Sequence, residues 1–120
     1  MRYIFVLILL MLSITSCYYD RASLVYPQTT CDLTKVTYSI SVTGILHASC
    51  YSCHSGNASA GGGVVLDNYN ALKTYVSNGQ LMNSINHTGG IPAMPLSGSQ
   101  LSSCEISTIQ KWISNGTPNN

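Results

Sequence analysis

Past residue 37 the hydrophobic positions recur at helical intervals, and nowhere do they alternate as strand positions do. Tyr38, Val42, Ile45 and Leu46 stand at i, i+4, i+7 and i+8, a stripe that predicts an amphipathic helix running straight into Cys50. Residues 55–64 are almost wholly Gly, Ser, Ala and Asn and end in Gly61-Gly62-Gly63-Val64, which predicts a loop without regular structure. Asp67 then stands where it can cap a second helix with Tyr69, Leu72 and Val76 on its inner face, and Asn78-Gly79 supplies a stop. A short turn carrying Leu81 and Ile85 follows, and His87 to Ser99, with three glycines and two prolines, predicts an extended loop. The last helix has the strongest local signals. Ser102-Ser103-Cys104-Glu105 is a capping box, Ile106, Ile109, Trp112 and Ile113 share one face, and Asn115-Gly116 with Pro118 ends it. The pattern is that of a small all-α domain with no internal repeat.

The first thirty residues follow a different rule. Arg2 precedes an unbroken apolar stretch, Tyr3 to Leu12, far short of the ~20 residues that span a bilayer and suited to the core of a signal peptide. From Tyr18 to Thr30 there is no periodicity, but there are three tyrosines and Pro27, which predicts a tether ahead of a domain that begins near Cys31.

Composition narrows the possibilities. The chain has 120 residues, 45% of them hydrophobic and only 8% charged, with a formal net charge of +1. That length suits one domain, and the apolar content with little net charge is the opposite of a disordered chain. Five Lys and Arg against four Asp and Glu leave no basic stripe to neutralise phosphates, so nucleic acid is not an expected partner.

Ile14-Thr15-Ser16-Cys17 resembles the lipobox of bacterial lipoproteins. The resemblance implies a signal peptide at 1–16, cleavage before Cys17, a lipid on that cysteine, a tether at 17–30 and a domain at 31–120. The protein is then exported and anchored by lipid to a bacterial membrane, on the periplasmic or cell-surface side. The plainer alternative is an ordinary signal peptide beside a coincidental cysteine.

Cys50-Tyr51-Ser52-Cys53-His54 is a CxxCH sequence, the pattern of c-type haem attachment. Two thiols three residues apart lie within one helical turn, so each can form a thioether with one haem vinyl group. The adjacent His54 is then held under the ring, where an imidazole nitrogen can ligate iron. Two other chemistries use such cysteines. A redox dithiol would sit in a βαβ pattern, which this chain lacks. A closed zinc site would need a second pair of ligands, and there is no further CxxC or HxxxH.

With the CxxCH helix, a later Met-Pro loop and a C-terminal helix bearing Trp112, residues 31 to 116 resemble small class I c-type cytochromes, most closely the monohaem, lipid-anchored bacterial kind. The resemblance implies N- and C-terminal helices packed beside one covalent haem c, with Cys50 and Cys53 as attachment points and His54 as proximal ligand. In that family the distal ligand is usually a methionine in a loop before the last helix. Met94 in Ile91-Pro92-Ala93-Met94-Pro95 matches it, with His87 in the same loop as its rival. His47 sits on the proximal-side helix, and Met82 reads as a core residue. Because the family fold brings the first and last helices together, the two remaining cysteines, Cys31 and Cys104, are expected to pair. The sequence departs from the family twice. Val42 and Leu46 occupy positions where many members have a glycine and an aromatic. No proline follows CxxCH closely whose carbonyl could accept the second N–H of the proximal histidine; a carbonyl of the Gly61-Gly62-Gly63 loop is one candidate substitute, and plain loop flexibility is the other reading of these glycines. The implied function is single-electron transfer between redox partner proteins, not enzymatic turnover. A haem-based sensor, or a redox enzyme with an open distal site, is the alternative.

Overall fold

The computed structural model describes residues 31–96 and 98–120. The expected signal peptide at 1–16, the expected lipidation position Cys17 and the expected tether at 17–30 lie outside the described residues. The stripe headed by Tyr38 is helical but not one regular helix. A π-helical turn, Tyr38–Val42, leads into α1 (Thr43–Ser49), and after an irregular Cys50 (φ −127°) a single turn, α2 (Tyr51–His54), follows. Local side-chain bonding accounts for the irregular start. Thr37 N–H donates to Ser41 Oγ (3.2 Å), Thr43 Oγ1 donates back to Ser39 O (2.7 Å), and Thr37 O takes both the Ser41 and Val42 N–H groups (3.1 Å each). Hydroxyls that compete for backbone partners loosen the first turn.

The glycine-rich segment is more ordered than expected, since it contains a 3₁₀ turn, Ser59–Gly61. Ala58, at φ 48°, turns its carbonyl to accept from Gly61 N–H (3.0 Å) and Gly63 N–H (2.8 Å). The second helix, α3 (Tyr69–Ser77), is capped by Asn68, not Asp67: Asn68 Oδ1 accepts from the N–H groups of Asn70 and Ala71. Asn68 is the last residue with extended backbone, the geometry an N-cap needs, while Asp67 Oδ2 accepts from Gly56 N–H (2.8 Å) and closes the preceding loop. Where a short turn was expected after Gly79 (φ 78°) there is a helix, α4 (Gln80–Asn86), with Leu81 and Ile85 buried. The last helix, α5 (Ser103–Ser114), has Ser102 as N-cap, and the reciprocal Ser102–Glu105 box is formed.

The described residues are thus helical with no strand. Their core is built on Val42, Leu46, Leu72, Ile109 and Trp112, all fully buried, and each such side chain contributes roughly 1.5–3 kcal/mol through its burial. α5 packs against the π turn, and α4 lies against both α3 and α5. Tyr38 stacks on Trp112 (centroids 5.7 Å, 27°) and meets Tyr69 edge-on at 5.1 Å, so Trp112 finds its aromatic partner at position 38 while Leu46 fills the aliphatic centre. The tail returns over this cluster. Trp112 Nε1 donates to Pro118 O (2.9 Å), Tyr69 Oη to Thr117 O (2.6 Å), and Asn120 accepts the N–H groups of Tyr38 and Ser39. Cys31 and Cys104 form a disulfide with Cα atoms 5.4 Å apart, tying the start of the described chain to the first turn of α5.

Candidate functional site

The CxxCH residues share one bend of the chain. Cys50 O accepts from both Cys53 N–H (3.1 Å) and His54 N–H (2.9 Å), which places the two thiols and the imidazole on one short helical turn. Both thiols are free, Cys50 half-buried and Cys53 exposed. Burial, with a smaller contribution from the Glu105 carboxylate, pushes the Cys50 thiol up to about 11. A redox dithiol needs a depressed thiol at its attacking position, and Cys50 is shifted the other way.

His54 is buried, and a small cradle holds its ring. Nδ1 lies 2.9 Å from the carbonyl oxygen of Val64; a carbonyl oxygen can only accept, so Nδ1 carries a proton, and the neutral tautomer this selects has its lone pair on Nε2. Among the described residues none hydrogen-bonds Nε2. The expected acceptor in the triple glycine is therefore corrected by one residue, to Val64, and the reason is local. The Gly61 carbonyl accepts from Val64 N–H (3.2 Å), and Gly61 itself lies close under the ring: a Cβ there would stand 2.6 Å from Cys53 O and 2.7 Å from His54 Cε1. Gly62 and Gly63 carry the chain through positive φ (63° and 80°), which brings Val64 round to Nδ1. Leu66 N–H donates to His54 O (2.8 Å) and closes the cradle from the other side. Neither Val64 nor the role of Gly61 was legible beforehand, because a backbone carbonyl leaves no residue-type signature; the only signal was the density of glycine.

The Met94 loop is a second group, assembled on α4. Met94 is half-buried, its N–H donates to Ser84 O (3.0 Å), and its carbonyl lies 3.0 Å from His87 Nε2. His87 itself is exposed and adopts φ 58° as the C-cap of α4. His47 is exposed on α1 with its ring edge-on to Tyr51 (5.9 Å), and Met82 packs half-buried against the core. The structure thus joins Cys31 with Cys104, gathers Cys50, Cys53 and His54, and pairs His87 with Met94; no hydrogen bond between described residues links the CxxCH turn to the Met94 loop. Among the described residues no three His, Cys, Asp or Glu side chains cluster as a metal centre built from such residues would require, and no helix is long and apolar enough to cross a membrane.

Comparison with protein-family models, curated proteins and solved structures finds no match for this chain.

Proposed function

We propose that the chain is a membrane-tethered monohaem c-type cytochrome that carries single electrons between redox partners, with haem c on Cys50 and Cys53, His54 as proximal ligand and Met94 as distal ligand. The observation that carries the proposal is the state of His54. Its buried imidazole follows two free thiols on one turn, and a backbone carbonyl fixes Nδ1–H so that Nε2 is the nitrogen left for a metal. That is the outer-shell arrangement that orients a histidine ligand and raises its basicity. The other described cysteines are committed to each other, so the thiols left free are the two of the CxxCH motif.

When bound, haem supplies reversible one-electron exchange at iron. The chain's residues do the rest. Cys50 and Cys53 hold the group covalently. Val64 O and Gly61 keep the His54 ring in one tautomer and one plane. The Met94 thioether, a neutral soft donor, favours the reduced metal and so raises the potential relative to a second imidazole. His87 Nε2 is engaged with Met94 O, which favours Met94 over His87 as the distal donor. Cys17 with its lipid, and the tether after it, would hold the domain at the membrane.

The test is an optical spectrum of the exported protein with and without carbon monoxide. A low-spin haem spectrum, with a weak far-red charge-transfer band in the ferric state and only slow association of carbon monoxide with the ferrous state, is expected. Ready binding of carbon monoxide would replace the carrier by a sensor or an enzyme with an open distal side. A chain exported by a haem-attaching host without any haem would end the proposal.

A further inference from the structure

We infer that His87 is the positioning residue of the Met94 loop: its ring holds the Met94 carbonyl and keeps the thioether in place, which rests on Met94 being the distal ligand. Among the described residues, the loop around Met94 from 87 to 96 has no regular structure of its own, so whatever fixes Met94 must reach it from outside. Two bonds do so, one at each polar end of the residue. Ser84 O accepts Met94 N–H at 3.0 Å, and His87 Nε2 meets Met94 O at 3.0 Å. Ser84 O also accepts His87 N–H (3.2 Å), so both arms of the clamp start from the last turn of α4. A carbonyl has no proton to give, so the ring donates from Nε2–H, and an Nε2 in that state has no lone pair for a metal. His87 Nε2 is therefore a partner of Met94 in one clamp and not itself a rival metal donor.

Two further features make the clamp part of a tied strap. Thr88 N–H donates to Asn83 O (2.9 Å), and Gln100 Nε2 donates to Ile85 O (2.9 Å), so the loop is fixed to α4 near its start, at Met94 and just past its end. His87 also occupies the left-handed region (φ 58°), where a glycine or asparagine would be less strained. Its imidazole bond to Met94 gives a reason for a histidine at a position where the backbone prefers otherwise. A thioether on a flexible side chain is a weak donor, and its occupancy depends on being held in place beforehand.

The experiment uses the haem-loaded protein with three variants. His87→Asn and His87→Gly both suit the left-handed backbone but cannot reach Met94 O, whereas His87→Gln restores an N–H donor of similar reach. Ferric far-red absorption, carbon monoxide association with the ferrous form and amide exchange at Met94 are measured, with exchange at Ile109 as the check that the core is intact. In the Asn and Gly variants the far-red band should weaken, and Met94 exchange and carbon monoxide association should each rise roughly five- to tenfold, the factor set by one lost hydrogen bond. His87→Gln should return all three toward wild type while Ile109 stays protected throughout. An unchanged band and unchanged carbon monoxide association in the Asn and Gly variants would overturn the inference, as would a Gln variant no better than they are, or a loss of protection at Ile109 equal to that at Met94. A wild-type protein without the far-red band, whose spectrum moves on His87→Gly and not on Met94→Ala, would instead overturn Met94 as ligand and make His87 the donor.

Discussion

At the residue scale the candidate site depends on two things that only backbone proximity explains, the Val64 carbonyl and the missing Cβ of Gly61. Gly61→Ala would force a methyl group into the His54 ring and the Cys53 carbonyl; overpacking of this kind costs about 1–3 kcal/mol. Urea titration of the variant should show a lower midpoint with an unchanged slope, and Gly62→Ala, which meets no neighbouring atom, should show only the smaller effect of its positive φ. Cys50 offers a pH test. In the haem-free chain its folded value is about 11 against an ordinary 9.0, so the unfolded thiol loses its proton first as pH rises. The contribution to stability is complete below pH 9.0 and is lost as the pH climbs toward 11. Denaturation of haem-free protein across that window should show the decline, and haem-loaded protein, whose Cys50 sulfur is a thioether with no proton, should lack this component. Iodoacetamide applied to haem-free protein near neutral pH should label the exposed Cys53 well before Cys50; equal labelling would contradict the burial of Cys50.

At the scale of elements, the strongest sequence signals were those in which a side chain performs the capping itself. Ser102 and Glu105 form the expected reciprocal box, and Ser102→Ala should lower stability by about 1 kcal/mol in a chemical melt. The neighbouring positions 67 and 68 show where such reading fails. Both residue types can cap a helix, and only the backbone angles decide that Asn68 does so while Asp67 closes the loop at Gly56. Asn68→Ala should therefore reduce stability by about 1 kcal/mol through the lost cap. Asp67→Ala should leave the amide protection of Asn70 and Ala71 unchanged, and a loss of that protection would reverse the assignment. The π turn at 38–42 was not legible for a related reason. Its hydrophobic spacing is that of an α-helix, and the hydroxyls of Ser41 and Thr43 that redirect the backbone are as common on ordinary helices.

At the scale of the whole molecule, the all-α class and the buried positions of the first, second and last helices were legible, because Val42 and Leu46, Leu72 with Tyr69 and Val76, and Ile109 and Trp112 stand at helical spacing, while the helix at 80–86 read only as a turn. The Cys31–Cys104 bridge closes a separation of 73 residues, and in the chain-entropy model its removal lowers stability by about 4 kcal/mol. A Cys31→Ser, Cys104→Ser double variant should unfold at correspondingly lower denaturant. The charges within the described unit balance, with Lys35, Lys73 and Lys111 against Asp32, Asp67 and Glu105, so long-range steering of a partner should be weak. If the lipid anchor on Cys17 does the work of raising encounters, electron exchange should depend little on salt and fall sharply in a Cys17→Ser form; a steep salt dependence of the anchored protein would contradict this.

An electron carrier of the proposed kind requires that Cys50 and Cys53 hold a haem covalently. Intact mass of the protein exported from a host that attaches haem to a control cytochrome, taken after denaturation and acid-organic extraction, measures this directly. The expected mass is that of the chain plus one haem, retained through extraction and lost in a Cys50→Ser, Cys53→Ser double variant. A wild-type mass equal to the chain with both thiols free, in a host where the control is fully loaded, would contradict it.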